Sequence, residues 1–134
     1  MTVQSAQDEQ FTFVAGLPLR EKVLYAAGLF DGEGCLHLKK ASGKKHKSDK
    51  WRLTLASTDF DIVNNFYAAM LDKGTVVGPY CVSNRKPYWV WSTIVQSDIY
   101  ALVVMMYPFL SARRKQKIET FIEWYKGYTK GARK

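Results

Sequence analysis

The 134-residue sequence predicts an α+β domain in which two β-hairpins build one antiparallel sheet and helices cover one of its faces. Segments 35–39 and 50–57 carry apolar residues at every second position, which is the periodicity of a strand with one buried side. Stretches with apolar residues at helical spacing precede, separate and follow the strands. The predicted order of elements is α-β-β-α-β-β-α-α.

The first helix is predicted over 17–32, with Pro18 in its first turn, where proline is tolerated. Its small and apolar residues form two stripes. One contains Leu24, Ala27, Gly28 and Asp31, and the other contains Val23, Ala26 and Phe30. A helix that is apolar on two sides is buried on two sides, so one of these stripes could meet a second chain.

The first hairpin separates two sets of side chains. Its inward residues are Leu36, Leu38, Trp51, Leu53 and Leu55, and its outward residues are Cys35, His37, Lys39, Lys50, Arg52 and Thr54. The polar segment between the strands is predicted to be a loop. The outward face has no predicted helix over it and is open to a large ligand.

The remaining elements are a helix from about 58, two strands and two further helices. Ser57 or Thr58 is expected to cap the helix, whose apolar side is Ile62, Val63, Phe66 and Met70. The second hairpin is predicted over 74–82 and 87–95, with 83–86 as its turn; its blurred alternation leaves the faces of Trp89 and Trp91 undetermined. The last helices are expected over 97–106, ended by Pro108, and over 111–126.

These elements fill a single domain over 1–134, with a loose lead-in at 1–14 and a basic tail at 127–134. No apolar run reaches the roughly 20 residues that span a bilayer, and the polar N-terminus lacks the pattern of a secretory signal. Cys35 and Cys81 are interpreted as free thiols. We therefore expect a cytoplasmic protein, or an organellar or phage-encoded one, without a membrane partner or small-molecule cofactor.

Basic residues are clustered in two stretches. The net charge is +8, with seven basic residues and one acid between Lys39 and Arg52, and eight basic residues and two acids from Arg113 to Lys134. Such clusters are typical of a protein that binds a polyanion, although a basic surface kept for solubility has the same composition. Charge alone does not distinguish DNA from RNA or anionic lipid.

Residues 26–34, AAGLFDGEG, form a motif with a small Ala27-Gly28 pair, Asp31 near the helix end, and Glu33-Gly34 at the exit into a strand. This segment resembles the LAGLIDADG signature of homing endonucleases. With the order of elements, the resemblance covers about 17–126. It implies the LAGLIDADG homing endonuclease fold, αββαββα with a four-stranded antiparallel saddle sheet.

The chemistry of the motif is compatible with a metal site made by two chains. Small residues let two helices approach closely, and Leu24, Ala27, Gly28 and Asp31 are the predicted dimer contacts. Two such helices bring two Glu33 carboxylates together, and a divalent cation with a preference for oxygen ligands relieves their repulsion. The negative ends of the helix dipoles also favour a cation. The alternative is that Glu33 is a surface acid at the start of a strand and Asp31 satisfies a local turn.

The resemblance implies roles for further residues. Glu33 and the Gly32 carbonyl would bind Mg²⁺, with Mn²⁺ as a substitute. Asp59 takes the place of a polar residue near the scissile phosphate, where it either helps to hold metal or caps the helix. Arg113, with Gln116 as its companion, occupies a position where the family often has lysine; arginine there is a poorer proton shuttle, and a plain phosphate contact is an equal alternative.

The expected DNA contacts are His37, Lys39, Lys50, Arg52, Thr54 and Lys115. The resemblance thus implies a homodimeric intron-homing endonuclease that cleaves both strands of a long, near-palindromic DNA target and leaves short 3′ overhangs. Three alternatives stay open: a catalytically silent DNA-binding regulator of the same fold, an RNA-splicing maturase, and a generic basic α+β ribonucleoprotein.

Overall fold

The computed structural model describes residues 13–41 and 49–132, and within them four α-helices and four strands follow one another in the predicted order. The helices are α1 (Leu19–Glu33), α2 (Phe60–Ala69), α3 (Gln96–Met106) and α4 (Ala112–Ala132). The strands are β1 (Gly34–Lys39), β2 (Lys50–Ser57), β3 (Thr75–Tyr80) and β4 (Tyr88–Thr93). Short 3-10 helices occupy Phe13–Gly16 and Tyr107–Phe109, the second of which contains Pro108 and ends α3 as expected.

The four strands form one antiparallel sheet in the order β1-β2-β4-β3. The register of the first hairpin places Leu36 opposite Leu53, and Lys39 opposite Lys50. Trp51, Leu53 and Leu55 are buried, whereas the residues between them are only partly so. The predicted separation of apolar and polar faces in this hairpin is therefore confirmed.

Trp89 and Trp91, which the sequence leaves undetermined, both lie on the helix side of the sheet. Trp91 is fully buried edge-on against Phe66, with 5.0 Å between ring centroids, and Trp89 packs beside Phe60 at 5.5 Å. The pairing of β3 with β4 is irregular between Val77 and Tyr80.

The core lies between the helices and the inward face of the sheet, where Phe30, Phe66, Met106 and Phe121 are buried against the strands. Gln96, the first residue of α3, is buried among them, and its side chain bonds to both the N–H and the carbonyl of Trp51, at 3.0 and 2.9 Å. A buried amide is stable only when its polar atoms are paired in this way. Gln96 therefore joins α3 to β2.

Two boundary predictions are wrong. Helix α4 continues to Ala132 rather than ending near Lys126, because Tyr128 stacks on Trp124 with 4.9 Å between ring centroids, so 127–132 are helical rather than a tail. Val14, expected in a loose lead-in, is fully buried, and its N–H donates to the side-chain oxygen of Asn65 at 3.2 Å. The rest of the lead-in, 1–12, and the loop residues 42–48 lie outside the described residues.

One side of α1 faces solvent. Leu24 is 42% exposed and Gly28 is exposed. Among the described residues, no atom beyond the local helix backbone would lie within 4 Å of a Cβ added at Gly28. Ala27, however, is fully buried in its own core beside Ala26. The prediction that Ala27 shares an outward face with Leu24 and Gly28 is wrong, because the helical rotation from Gly28 to Ala27 is large enough to turn the methyl group inward.

Both cysteines are free, as expected. In the described part of the chain, no helix is long and apolar enough to cross a membrane.

Candidate functional site

Glu33 is the last residue of α1, and its side chain is exposed. The next residue, Gly34, is buried, and its N–H donates to the carbonyl of Phe30. A Cβ at position 34 would overlap the Phe30 ring, so glycine lets the chain leave the helix directly into β1 without displacing that ring. This tight exit places the Glu33 carboxylate and the Gly32 carbonyl together at the negative end of the α1 dipole.

Asp31 joins α1 to the start of α4. Its carboxylate accepts the Ser111 N–H at 2.8 Å, and its carbonyl accepts Arg114 Nε at 3.2 Å. The hydrogen bonds from Ser111 hold the pKa of Asp31 below its ordinary value, and the charges of Arg114 and Arg113 act in the same direction. Asp31 thus has a structural role, whereas its predicted contact with a second chain stays a prediction.

Glu33 and Asp59 line one open cleft of about 610 Å³. Asp59 occupies the N-cap position of α2, and its side chain makes no capping hydrogen bond. The expectation that Ser57 or Thr58 is the N-cap is therefore wrong; instead the Ser57 hydroxyl accepts the Asp59 N–H at 3.0 Å, just before the helix. The sequence analysis left two roles open for Asp59, capping of the helix and metal binding. A capping hydrogen bond to its side chain is not observed, and Asp59 lines the cleft.

The cleft also contains residues that the sequence analysis missed. Its lining comes from α1, the β2–α2 junction, α2 and the β3–β4 turn, and it consists of Leu29, Glu33, Ala56, Ser57, Thr58, Asp59, Ile62, Arg85, Lys86 and Tyr88. Arg85 and Lys86 add two basic residues to a lining that contains the two acids. The only available sequence signal was a pair of adjacent cations in a predicted hairpin turn.

Arg113 and Gln116 are exposed in the first turns of α4. Arg113 lies near enough to Asp31 to lower its pKa, so it sits at the same end of α1 as Glu33. Among the described residues, neither side chain has a hydrogen bond or ion pair with Glu33. Lys115 directs its ammonium group over the Tyr107 ring at 5.4 Å. The proposed roles of these three residues stay predictions.

The open face of the sheet carries polar residues in register across its strands. His37 lies opposite Arg52, Cys35 opposite Thr54, and Ser92 of β4 lies beside Thr54. Arg52 Nη2 approaches the Ser92 hydroxyl at 3.5 Å, and Cys35 Sγ lies 3.6 Å from His37 Nδ1. These pairs form a continuous polar surface with Lys39 and Lys50 at its end.

His37 is the titratable group of this surface that responds most to its surroundings. Partial burial lowers the pKa of His37, and the positive charges of Arg52, Lys117 and Lys39 lower it further. The imidazole is therefore neutral at neutral pH, and it can donate or accept a hydrogen bond beside the permanent charge of Arg52.

The Glu33 carboxylate and the Gly32 carbonyl at the exit of α1 are the kind of oxygen ligand that a hard divalent cation prefers. One chain, however, offers too few of them to complete a metal site. In residues 13–41 and 49–132, no group of three or more His, Cys, Asp or Glu side chains could hold a metal ion. A single chain offers the Glu33 carboxylate and the Gly32 carbonyl. Mg²⁺ usually keeps several waters and binds one or two carboxylates together with substrate phosphate. These donors therefore fit a site that a second chain and a phosphate complete.

No protein-family model and no curated protein matches the sequence. Solved structures do. The homing endonuclease I-CeuI, encoded by a group I intron and solved with DNA, has a TM-score of 0.67 and 14% identity over 84% of this chain and 57% of its own. The LAGLIDADG homing endonuclease I-GzeII, with its DNA target, has a TM-score of 0.61 and 13% identity over 75% and 34% of the two chains.

The homing endonuclease I-CvuI, solved with its target in the presence of Ca, has a TM-score of 0.60 and 17% identity over 77% of this chain and 67% of its own. The chain therefore has the LAGLIDADG homing endonuclease fold, as predicted. It spans little more than half of the I-CeuI chain and about a third of the I-GzeII chain.

Proposed function

We propose that the chain is a DNA endonuclease that acts as a homodimer and requires a divalent metal, Mg²⁺ or Mn²⁺. The observation that carries the proposal is the position of Glu33. In the LAGLIDADG homing endonuclease fold, Glu33 lies at the exit of α1, beyond the exposed Gly28, and in one cleft with Asp59.

Dimerisation through the exposed side of α1 would set two Glu33 carboxylates side by side. A metal bound there would supply Lewis-acid stabilisation and an activated water. Glu33 and the Gly32 carbonyl would hold it, and Asp59 lies in the same cleft. Arg113, on the first turn of α4 and near enough to Asp31 to lower its pKa, would contact a phosphate near the α1 exit.

The open face of the sheet is the proposed DNA surface. The major groove admits a two-stranded β-ribbon, and the cross-strand pair of His37 and Arg52 offers hydrogen-bond donors in one row. Lys39 and Lys50 would neutralise phosphates at the edge of the row. Two symmetric half-sites of about one helical turn each would give a near-palindromic target of roughly 20 base pairs. Short 3′ overhangs follow from cleavage across the minor groove.

The test is Glu33→Gln, which keeps the size of the side chain and removes its charge. A duplex first has to be isolated from a randomised DNA pool by binding to the parent protein in EDTA. On plasmid carrying that duplex, we expect Glu33→Gln to bind like the parent and to cleave with Mg²⁺ at least about 10²–10³-fold more slowly. Replacing Mg²⁺ by Ca²⁺ should likewise preserve binding and suppress cleavage.

Glu21→Gln is the matched control, because Glu21 lies in the first turn of the same helix, about 18 Å from position 33. It should bind and cleave like the parent. Full activity of Glu33→Gln would contradict the proposal and point to Asp59 as the metal ligand. Tight binding by the parent without cleavage would favour a regulator, and a preference for structured RNA would favour a maturase.

A further inference from the structure

Two acidic residues, Glu33 and Asp59, and two basic residues, Arg85 and Lys86, line the cleft between the α1 exit and the β3–β4 turn. Within the described residues, ion pairs form between Lys40 and Asp49, Lys73 and Asp98, and Lys126 and Glu123, and none involves these four groups. Their charges are therefore available to a ligand.

The ligand has to satisfy two requirements at once. It must present negative oxygens to Arg85 and Lys86, and it must not repel Glu33 and Asp59. A phosphodiester that approaches the acids through a bound cation or water meets both requirements, because phosphate oxygens accept from guanidinium and ammonium groups while the cation separates them from the carboxylates. The hydroxyl groups of Ser57 and Thr58 in the same lining add neutral hydrogen-bonding capacity.

The β3–β4 turn can offer these two side chains without disturbing the fold. Residues 81–87 are exposed, and the turn is closed by a backbone hydrogen bond from the Arg85 N–H to the Val82 carbonyl at 3.0 Å. Asn84 has a left-handed conformation with φ of 68°, which asparagine tolerates better than most residues. The backbone thus fixes the turn, and neither cationic side chain has a hydrogen bond or ion pair within residues 13–41 and 49–132.

We propose that Arg85 and Lys86 bind the phosphodiester that lies over the Glu33–Asp59 cleft, and so position the strand that this cleft acts on. The inference rests on the proposed function, and it adds two residues from the second hairpin to the site. It also assigns the β3–β4 turn to the backbone of the DNA and not to its bases. In a homodimer, each duplex would meet two such turns.

The first test is the salt dependence of binding in EDTA, with the duplex recovered by binding selection as the probe. Arg85→Ala/Lys86→Ala removes four contacts per dimer, so the slope of log K against log salt should decrease by about 3.6. Arg85→Lys keeps the positive charge and should therefore keep most of the parent's slope. The matched control is Arg20→Ala/Lys22→Ala, which removes the same charge from the first turn of α1, at the end of that helix opposite Glu33. It should leave the slope close to that of the parent.

The second test locates the contact. Methylphosphonate groups, which are neutral, replace one phosphate of the duplex at a time. The parent should lose affinity when the phosphates beside the cleavage position are replaced, and Arg85→Ala/Lys86→Ala should be insensitive at those same positions and at no others. The control double variant should reproduce the parent profile.

The outcomes separate the inference from the proposed function. If the parent binds and cleaves but the Arg85/Lys86 variant keeps the parent's slope and profile, the inference is wrong and the function stands. Insensitive positions distant from the cleavage site would also overturn it, since the turn would then contact flanking backbone. If the parent recovers no duplex at all, the proposed function falls, and the inference with it.

Discussion

Replacing Gly28 by leucine should affect the single chain and the proposed dimer in opposite directions. In the chain itself, the new side chain enters open space, because no atom of residues 13–41 and 49–132 outside the local helix backbone would lie within 4 Å of its Cβ. Glycine in a helix interior costs about 1 kcal/mol relative to alanine or leucine. The isolated chain should therefore become more stable by about 1 kcal/mol.

In the dimer, the same side chain would be inserted between two closely packed helices. Forcing extra methylene groups into a packed contact costs about 1–3 kcal/mol, and symmetry introduces the cost twice. A total of about 2–6 kcal/mol corresponds to a dimer weakened about 30-fold to 10⁴-fold. Sedimentation equilibrium measures the loss of dimer affinity. Chemical denaturation, at a concentration where the variant is monomeric, measures the gain in stability of the single chain.

Gly127→Leu is the control, since Gly127 lies within α4 and an added Cβ there would also have no neighbour within 4 Å in the part of the chain that the structure describes. This variant should stabilise the helix without changing the affinity of the dimer. The reasoning is refuted if the parent is a monomer at micromolar concentration, or if Gly28→Leu and Gly127→Leu dimerise equally well.

Further predictions concern binding, stability and pH. Lys50→Ala and Arg52→Ala should each weaken DNA binding and lower the salt slope by about 1.8, for two contacts per dimer; unchanged slopes in filter binding would mean that the sheet faces away from DNA. Gln96→Met should lower the free energy of unfolding by about 2–4 kcal/mol, because two buried backbone groups of β2 lose their partner; a urea midpoint equal to that of the parent would contradict this. Asp31→Asn should be less stable than the parent at neutral pH. The folded-state pKa of Asp31 is depressed, so its stabilisation is present above the ordinary value of 3.8 and is lost as the pH falls through the folded value. The two urea midpoints should therefore converge in acid, and a constant difference would show that charge is not the cause.

The sequence alone was sufficient to predict the structure in segments where one periodicity of apolar residues dominates. In the first hairpin, strict alternation fixed which residues face the helices, and the register then brought His37 opposite Arg52. The motif placed Glu33 at a helix exit, and the steric fit of Gly34 against Phe30 explains why the exit occurs there. In each case the deciding interaction is local or lies between neighbouring strands.

The sequence alone was insufficient where contacts between distant segments determine the structure. On α1, apolar residues surround most of the helix, so periodicity alone could not tell the buried Ala27 from the exposed Gly28. The glycine at 127 suggests a helix end, but stacking of Tyr128 on Trp124 continues α4. The cleft with Arg85 and Lys86 is built from four separate segments, and no single-sequence pattern reports such a convergence.

The hydrogen bond from the Ser111 N–H to the Asp31 carboxylate connects residues that are 80 positions apart in the sequence. Asp31 precedes Glu33 by two residues. The orientation of Glu33 is thus a property of the completed tertiary structure, and a peptide containing only the motif would lack it. It also affects how loss-of-function variants should be interpreted. A substitution at the start of α4 that abolishes cleavage need not have removed a DNA contact, because it can release the end of α1 and displace the carboxylate. Only variants that retain the α1–α4 contact, as judged by slow amide exchange at Ser111, report on direct roles for Arg113 and its neighbours.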